Sequence, residues 1–127
     1  MRFAVLAAAL LACSSPALAT GGFECRAVSG TGPILTIGLG HSIAVKPFLV
    51  ILREGKRTFS TQGPGATLAI GQIWIDNRYF WLDLTDINAN RHEAKLRTTY
   101  HPKLKWSPYI GTLTRNGRTY RVRCIEA

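Results

Sequence analysis

At 127 residues, with a formal charge of +9 at pH 7 and three cysteines, the chain has room for one modest core and none for a second domain. No stretch reaches the eighteen or so apolar residues that a membrane-spanning helix requires. Charge and cysteine usage therefore carry most of what composition can say.

In chain order, the first element is an export signal. Met1-Arg2 is a minimal basic start, and Phe3 to Cys13 is an uncharged apolar run. Ala17 and Ala19 place small residues at the −3 and −1 positions of a cleavable site. Residues 1–19 thus read as a signal peptide and residues 20–127 as a single β domain of 108 residues. The minor alternative is a lipoprotein anchored at Cys13, because Leu10-Leu11-Ala12-Cys13 resembles a lipidation box. Cleavage removes Arg2 and Cys13. The mature chain keeps 15 Lys+Arg against 7 Asp+Glu, a formal charge of +8, and two cysteines.

The mature sequence predicts strands nearly throughout. Phe23, Cys25 and Ala27 alternate with Glu24, Arg26 and Val28. Leu35, Ile37 and Leu39 share a face between Pro33 and Gly40. Pro47 to Arg53 is an apolar run consistent with a strand buried on both sides. Glu54-Gly55-Lys56 turns the chain into a return strand over Arg57 to Gln62, and Gly63-Pro64-Gly65 breaks it. Ile73 and Ile75 alternate with Trp74, and Asp76-Asn77 turns into Tyr79 to Thr85. There Phe80, Leu82 and Leu84 oppose Tyr79, Trp81 and Asp83. Glu93 to Tyr100 alternates again, with Ala94 and Leu96 inside and Glu93, Lys95 and Arg97 outside. A helical turn is conceivable only over His41 to Lys46 or Asp86 to His92.

Asn116-Gly117, between two alternating runs, is the strongest hairpin signal in the chain. A two-residue turn pairs Arg115 with Arg118, Leu113 with Tyr120, Gly111 with Val122 and Tyr109 with Cys124. The last three pairs share an apolar inner face, so Cys124 points inward. After export the two remaining cysteines permit one intramolecular pairing, Cys25 with Cys124, from the first strand to the last. The expected fold is all-β: a small antiparallel barrel or closed sandwich of about eight strands with one disulfide.

Chemical motifs are sparse. Gly38-Leu39-Gly40-His41-Ser42 sets a serine beside a histidine but lacks the second glycine and the strand–turn–helix context of a nucleophile elbow. An uncharacterised hydrolase stays the weakest alternative, and no catalytic residue is assigned. Asp86-Ile87-Asn88-Ala89-Asn90 resembles the opening of a calcium loop, but Arg97 stands where the bidentate glutamate belongs. It reads as an Asx-rich turn. His41, His92 and His101 show no ligand spacing, so neither metal nor cofactor is expected.

The last third is basic: Lys95, Arg97, Lys103, Lys105, Arg115, Arg118, Arg121 and Arg123 stand against Glu93 and Glu126, with Tyr100, Trp106, Tyr109 and Tyr120 interleaved. The candidate binding residues are Lys95, Arg97, Lys103, Lys105, Trp106, Arg121 and Arg123. Such a face suits an envelope protein or an anionic envelope polymer, and the export signal disfavours nucleic acid.

Trp106-Ser107-Pro108-Tyr109-Ile110-Gly111-Thr112-Leu113, then Asn116-Gly117 and Cys124 near the end, resembles the closing segment of membrane-bound C-type lysozyme inhibitors. That resemblance implies an eight-stranded barrel with loops entering a lysozyme cleft. The Ser-Gly-x-x-Tyr and Trp-x-Lys-Gly segments that carry inhibition in that family have no counterpart here, so no inhibitory residue transfers. The reading that results is a small basic periplasmic or secreted binding protein without enzymatic activity, an inhibitor or accessory factor of an envelope enzyme. The alternative is a basic module docking on anionic envelope polysaccharide or lipid.

Overall fold

The computed structural model describes residues 21–40, 46–105 and 108–126. The signal peptide, Cys13, His41, Ser42 and Trp106 lie outside the described residues.

The alternating runs form nine strands: β1 (Gly22–Ala27), β2 (Ile34–Gly40), β3 (Lys46–Glu54), β4 (Arg57–Ser60), β5 (Leu68–Ile75), β6 (Tyr79–Asp86), β7 (His92–Tyr100), β8 (Tyr109–Arg115) and β9 (Arg118–Glu126). They make one antiparallel sheet in the order β4-β3-β2-β1-β9-β8-β7-β6-β5, curled into a nearly closed barrel. β4 and β5 are its free edges. Eight antiparallel steps separate them, so they run in the same direction. Residues 61–67 join them, too few for the crossover that a parallel ladder needs. The seam stays open beside one closing hydrogen bond, from the Thr67 N–H to the Ser60 carbonyl at 3.2 Å.

The inner face of each strand builds the core. Leu35, Ile37, Val50, Leu52, Phe80, Leu82, Leu84, Leu96, Leu113 and Val122 are almost wholly excluded from solvent. Phe23, Phe80 and Tyr109 pack ring to ring, 5.3–5.7 Å between centroids. The β8–β9 register is the expected one, residue for residue. Asn116 and Gly117 take φ of 52° and 74°, the left-handed pair a type I′ turn requires. Cys25 and Cys124 are opposed on β1 and β9, and their disulfide closes a separation of 99 residues.

Three expectations are corrected. The run from Pro47 to Arg53 is not buried on both sides: Val50 and Leu52 are fully buried, Leu49 and Ile51 half-buried and Arg53 exposed. The return strand stops at Ser60, and the Thr61 hydroxyl accepts the Val50 N–H at 3.0 Å instead. β5 begins at Leu68, before the alternation that marks it in the sequence. A bulge at Gly71 shifts the register between Ile70 and Gln72, so Leu68, Ile70, Ile73 and Ile75 all face inward although a strict period of two breaks among them. A second shift, between Leu84 and Thr85, leaves Glu93 bulged on β7.

Candidate functional site

The outer face of β5–β9 gathers the polar and aromatic residues that the core pattern pushes out. Because Ile73, Ile75, Phe80 and Leu82 face inward, Trp74 and Trp81 must face outward. They are directly opposed across β5 and β6. Register continues the row: Trp81 opposes Arg97, Arg97 opposes Thr112, and Thr112 opposes Arg121. One residue pair along, Gln72, Asp83 and Lys95 form a parallel row.

Both tryptophans are fixed while exposed. Trp74 is 57% exposed, yet its indole N–H donates to the Asp76 carboxylate at 2.8 Å. Asp76 also accepts the backbone N–H groups of Arg78 and Tyr79, both at 2.7 Å. Those backbone hydrogen bonds, with the one from Trp74, hold its carboxyl below the ordinary carboxylate range. Trp81 is 39% exposed and lies between the Tyr79 ring, 5.1 Å away, and the Arg97 guanidinium, 5.4 Å from its centroid. Arg97 in turn donates through Nη1 to Asp83 Oδ1 at 2.7 Å and to its neighbour's carbonyl at 2.8 Å. Gln72, Ile73, Trp74, Trp81, Asp83 and Arg97 line an open cleft of about 500 Å³.

The predicted cations divide into three groups. Lys95, Arg97, Arg121 and Arg123 all project from the outer face, on β7 and β9, separated only by β8. Among the described residues Lys95, Arg121 and Arg123 form no ion pair, whereas Arg97 is paired with Asp83. Lys103 and Lys105 are exposed in the connection from β7 to β8, off these rows. Trp106 has no described position. Arg26, beside Arg123 across the β1–β9 pair, is neutralised by Glu24.

Arg115 does not belong to the exposed basic face. It is the inner residue at the end of β8 and only 7% exposed. Its guanidinium donates to Glu54 at 2.7 and 2.9 Å and to the Glu93 carboxylate at 2.7 Å, and lies 5.3 Å over the Phe59 ring. Burial alone would lower its pKa, but the two carboxylates outweigh it and the net shift is upward. Hydrogen bonds from Arg91 and Arg115 hold Glu93 below its ordinary value. A second cavity, about 510 Å³, opens at this end of the barrel beside the β4–β5 seam.

Asp86 spends its carboxylate locally. Its Oδ1 accepts the N–H groups of Asn90 and Arg91 at 2.7 and 2.8 Å, an Asx-type turn completed by Ala89 at φ 56°. Among the described residues no three His, Cys, Asp or Glu side chains converge as a metal site would demand. No helix among them is long and apolar enough to cross a membrane.

The sequence reading named the cations of this face but not the Trp74–Trp81 cleft. A signal existed: two tryptophans at polar positions of amphipathic strands. What was missing was the β5–β6 register that sets them side by side. Compared with known proteins, the chain matches no family model, no curated protein and no solved structure.

Proposed function

We propose that this chain is an exported, non-enzymatic binding protein whose outer sheet face from β5 to β9 docks on an anionic envelope polymer. One observation carries the reading. Lys95, Arg121 and Arg123 lie on one face without an ion pair among the described residues, Arg121 on the row that starts in the exposed tryptophans and Lys95 and Arg123 on the rows either side of it. Three cations without an ion pair, on two strands separated only by β8, are a surface for a multivalent anion. The Cys25–Cys124 bond and the signal-like start support a periplasmic or secreted location, where such polymers are found.

The test is salt dependence. Mature protein should bind a purified anionic cell-wall polymer at low salt and lose most of that binding at moderate salt. Replacing Lys95, Arg121 and Arg123 by serine should weaken binding several-fold and flatten the salt dependence. Replacing Arg53, Lys56 and Arg118, exposed elsewhere, is the control. If both sets weaken binding equally, net charge and not this face is responsible. A tight, salt-insensitive complex with a C-type lysozyme would establish the inhibitor reading instead, against the repulsion expected between two basic proteins.

A further inference from the structure

We infer that the Trp74–Trp81 cleft is a saccharide subsite, so that the polymer this face engages is an acidic polysaccharide and not a lipid surface. The inference rests on the proposed binding role of the face and names its ligand.

Three observations carry it. The first is pre-organised aromatic area. Both indole rings keep a large part of their surface in water, 57% for Trp74 and 39% for Trp81, and both are locked by contacts: Trp74 by Asp76, Trp81 by Tyr79 and Arg97. A ring held in place loses little further entropy when a ligand stacks on it. The second is the polar side of the cleft. Asp83, Arg97 and Gln72 border the same space as the two indoles. Arg97 uses only Nη1 for Asp83 and the Leu96 carbonyl, which leaves Nη2 and Nε as donors. Asp83 receives Arg97 at Oδ1 and keeps Oδ2 as an acceptor. A pyranose has the matching chemistry: a face of C–H groups for the indoles, and a rim of hydroxyls that both donate and accept. At about 500 Å³ the cleft falls within the range of small-molecule sites.

The third observation separates an acidic glycan from other ligands. The Asp83–Arg97 pair makes the cleft itself close to neutral, so a bare phosphate polymer has no reason to prefer it. The charge begins one strand further on. From Trp81 on β6 to Arg121 on β9 the row crosses three strand spacings, roughly 14 Å along the curved sheet. A chain with a sugar ring on the tryptophans would present its following acid groups to Lys95, Arg121 and Arg123. The polar cleft floor also argues against insertion into a bilayer, which would bury the Asp83–Arg97 pair.

The experiment uses the mature protein and three probes: oligogalacturonate (sugar and charge), polyphosphate of matched charge (no sugar) and phosphatidylglycerol vesicles (lipid). Trp74→Ala should weaken oligogalacturonate about tenfold, the scale of one lost aromatic stack, and change polyphosphate affinity less than twofold. Trp74→Phe, which keeps a ring face, should retain most of the oligogalacturonate affinity. Trp81→Ala should behave as Trp74→Ala, with circular dichroism unchanged. Lys95, Arg121 and Arg123 replaced by serine should weaken both soluble polyanions. The saccharide subsite is overturned if Trp74→Ala leaves oligogalacturonate binding intact while the serine variant abolishes it. Preferential binding to vesicles, with a blue shift of tryptophan emission only there, overturns it in favour of lipid. If the serine variant binds every probe as well as the parent, the basic-face reading itself fails.

Discussion

Arg97 on β7 and Arg115 on β8 each meet a carboxylate at 2.7 Å, and each lies over an aromatic ring, Trp81 at 5.4 Å and Phe59 at 5.3 Å. They differ in which face of the barrel the strand period gives them. Arg115 points inward at the mouth, 7% exposed. Its guanidinium is taken up by two acids, Glu54 and Glu93, that come from strands far apart in sequence. Arg97 points outward, its side chain about a third exposed (34%), and its partner is a single acid on the next strand, Asp83, which is itself buried. The same chemical grouping is therefore a clamp in one place and the edge of the proposed recognition surface in the other. Burial decides between them. A wholly buried charge network must be satisfied internally to exist at all, while one whose cation reaches solvent can leave donors and ring faces open to a ligand.

Arg115→Ala breaks this comparison most sharply. It removes the cation that Glu54 and Glu93 share, leaving Glu93 only Arg91. A loss of about 3–5 kcal/mol is expected, the range for removing one partner of a buried ion pair. Thermal or denaturant unfolding measures it, and a loss below about 1 kcal/mol would show that the mouth is not a clamp. Cys124→Ala should come next, at about 2–5 kcal/mol, because it removes the bond joining the first and last strands of the barrel. If the intact mass of the purified protein shows free thiols, this expectation falls.

Acid should destabilise the fold in the same sense. Glu93, Asp76 and Asp86 all have carboxyl pKa values lowered in the folded state, by hydrogen bonds from Arg91 and Arg115, from backbone N–H groups and Trp74, and from backbone N–H groups respectively. A lowered folded value means the unfolded chain binds protons first. Each group then contributes stability above the ordinary carboxylate pKa near 4, lost as pH falls through the folded value. The thermal midpoint should hold from pH 7 to about pH 5 and drop below pH 4, and Glu93→Gln should make that drop shallower. A midpoint that rises on acidification contradicts the assignment.

Arg97→Ala is the smallest effect and the most discriminating. Arg97 reaches solvent but Asp83 is only 6% exposed, so removing the cation strands a buried carboxylate and a loss of about 1–2 kcal/mol is expected, still below the loss at Arg115. Oligogalacturonate affinity should nevertheless fall, because Trp81 loses the cation behind its ring and the cleft loses its donors. A large destabilisation would mean that Arg97 is a second clamp, and the contrast with Arg115 would dissolve.

Most strands were legible in the sequence because each alternates apolar and polar residues and one side must be buried. The Asn116-Gly117 hairpin was legible to the residue, since a two-residue turn with two left-handed positions fixes the pairing beyond it. The start of β5 was not, because the bulge at Gly71 interrupts the period of two on which the reading depends. Glu93 read as an outward residue for the same reason. Its bulge turns its carboxylate to the Arg115 clamp. The basic residues of the outer face were visible as a list, but Arg115 could not be told from Arg121 without knowing which of them the barrel mouth would swallow.

From its composition and local patterns alone, this sequence determined an all-β chain with one disulfide, an inward Cys124 and an excess of positive charge near its end. Those follow from short-range physics: strand periodicity, turn geometry and the count of cysteines. Only the tertiary structure decided that β4 and β5 meet as an open seam, that Arg115 is enclosed by acids from β3 and β7, and that Trp74, Trp81 and Arg97 stand in one row. Each of those depends on which strand lies next to which and in what register. Neighbours are chosen by the closure of the whole sheet around its core, and no local segment carries that information.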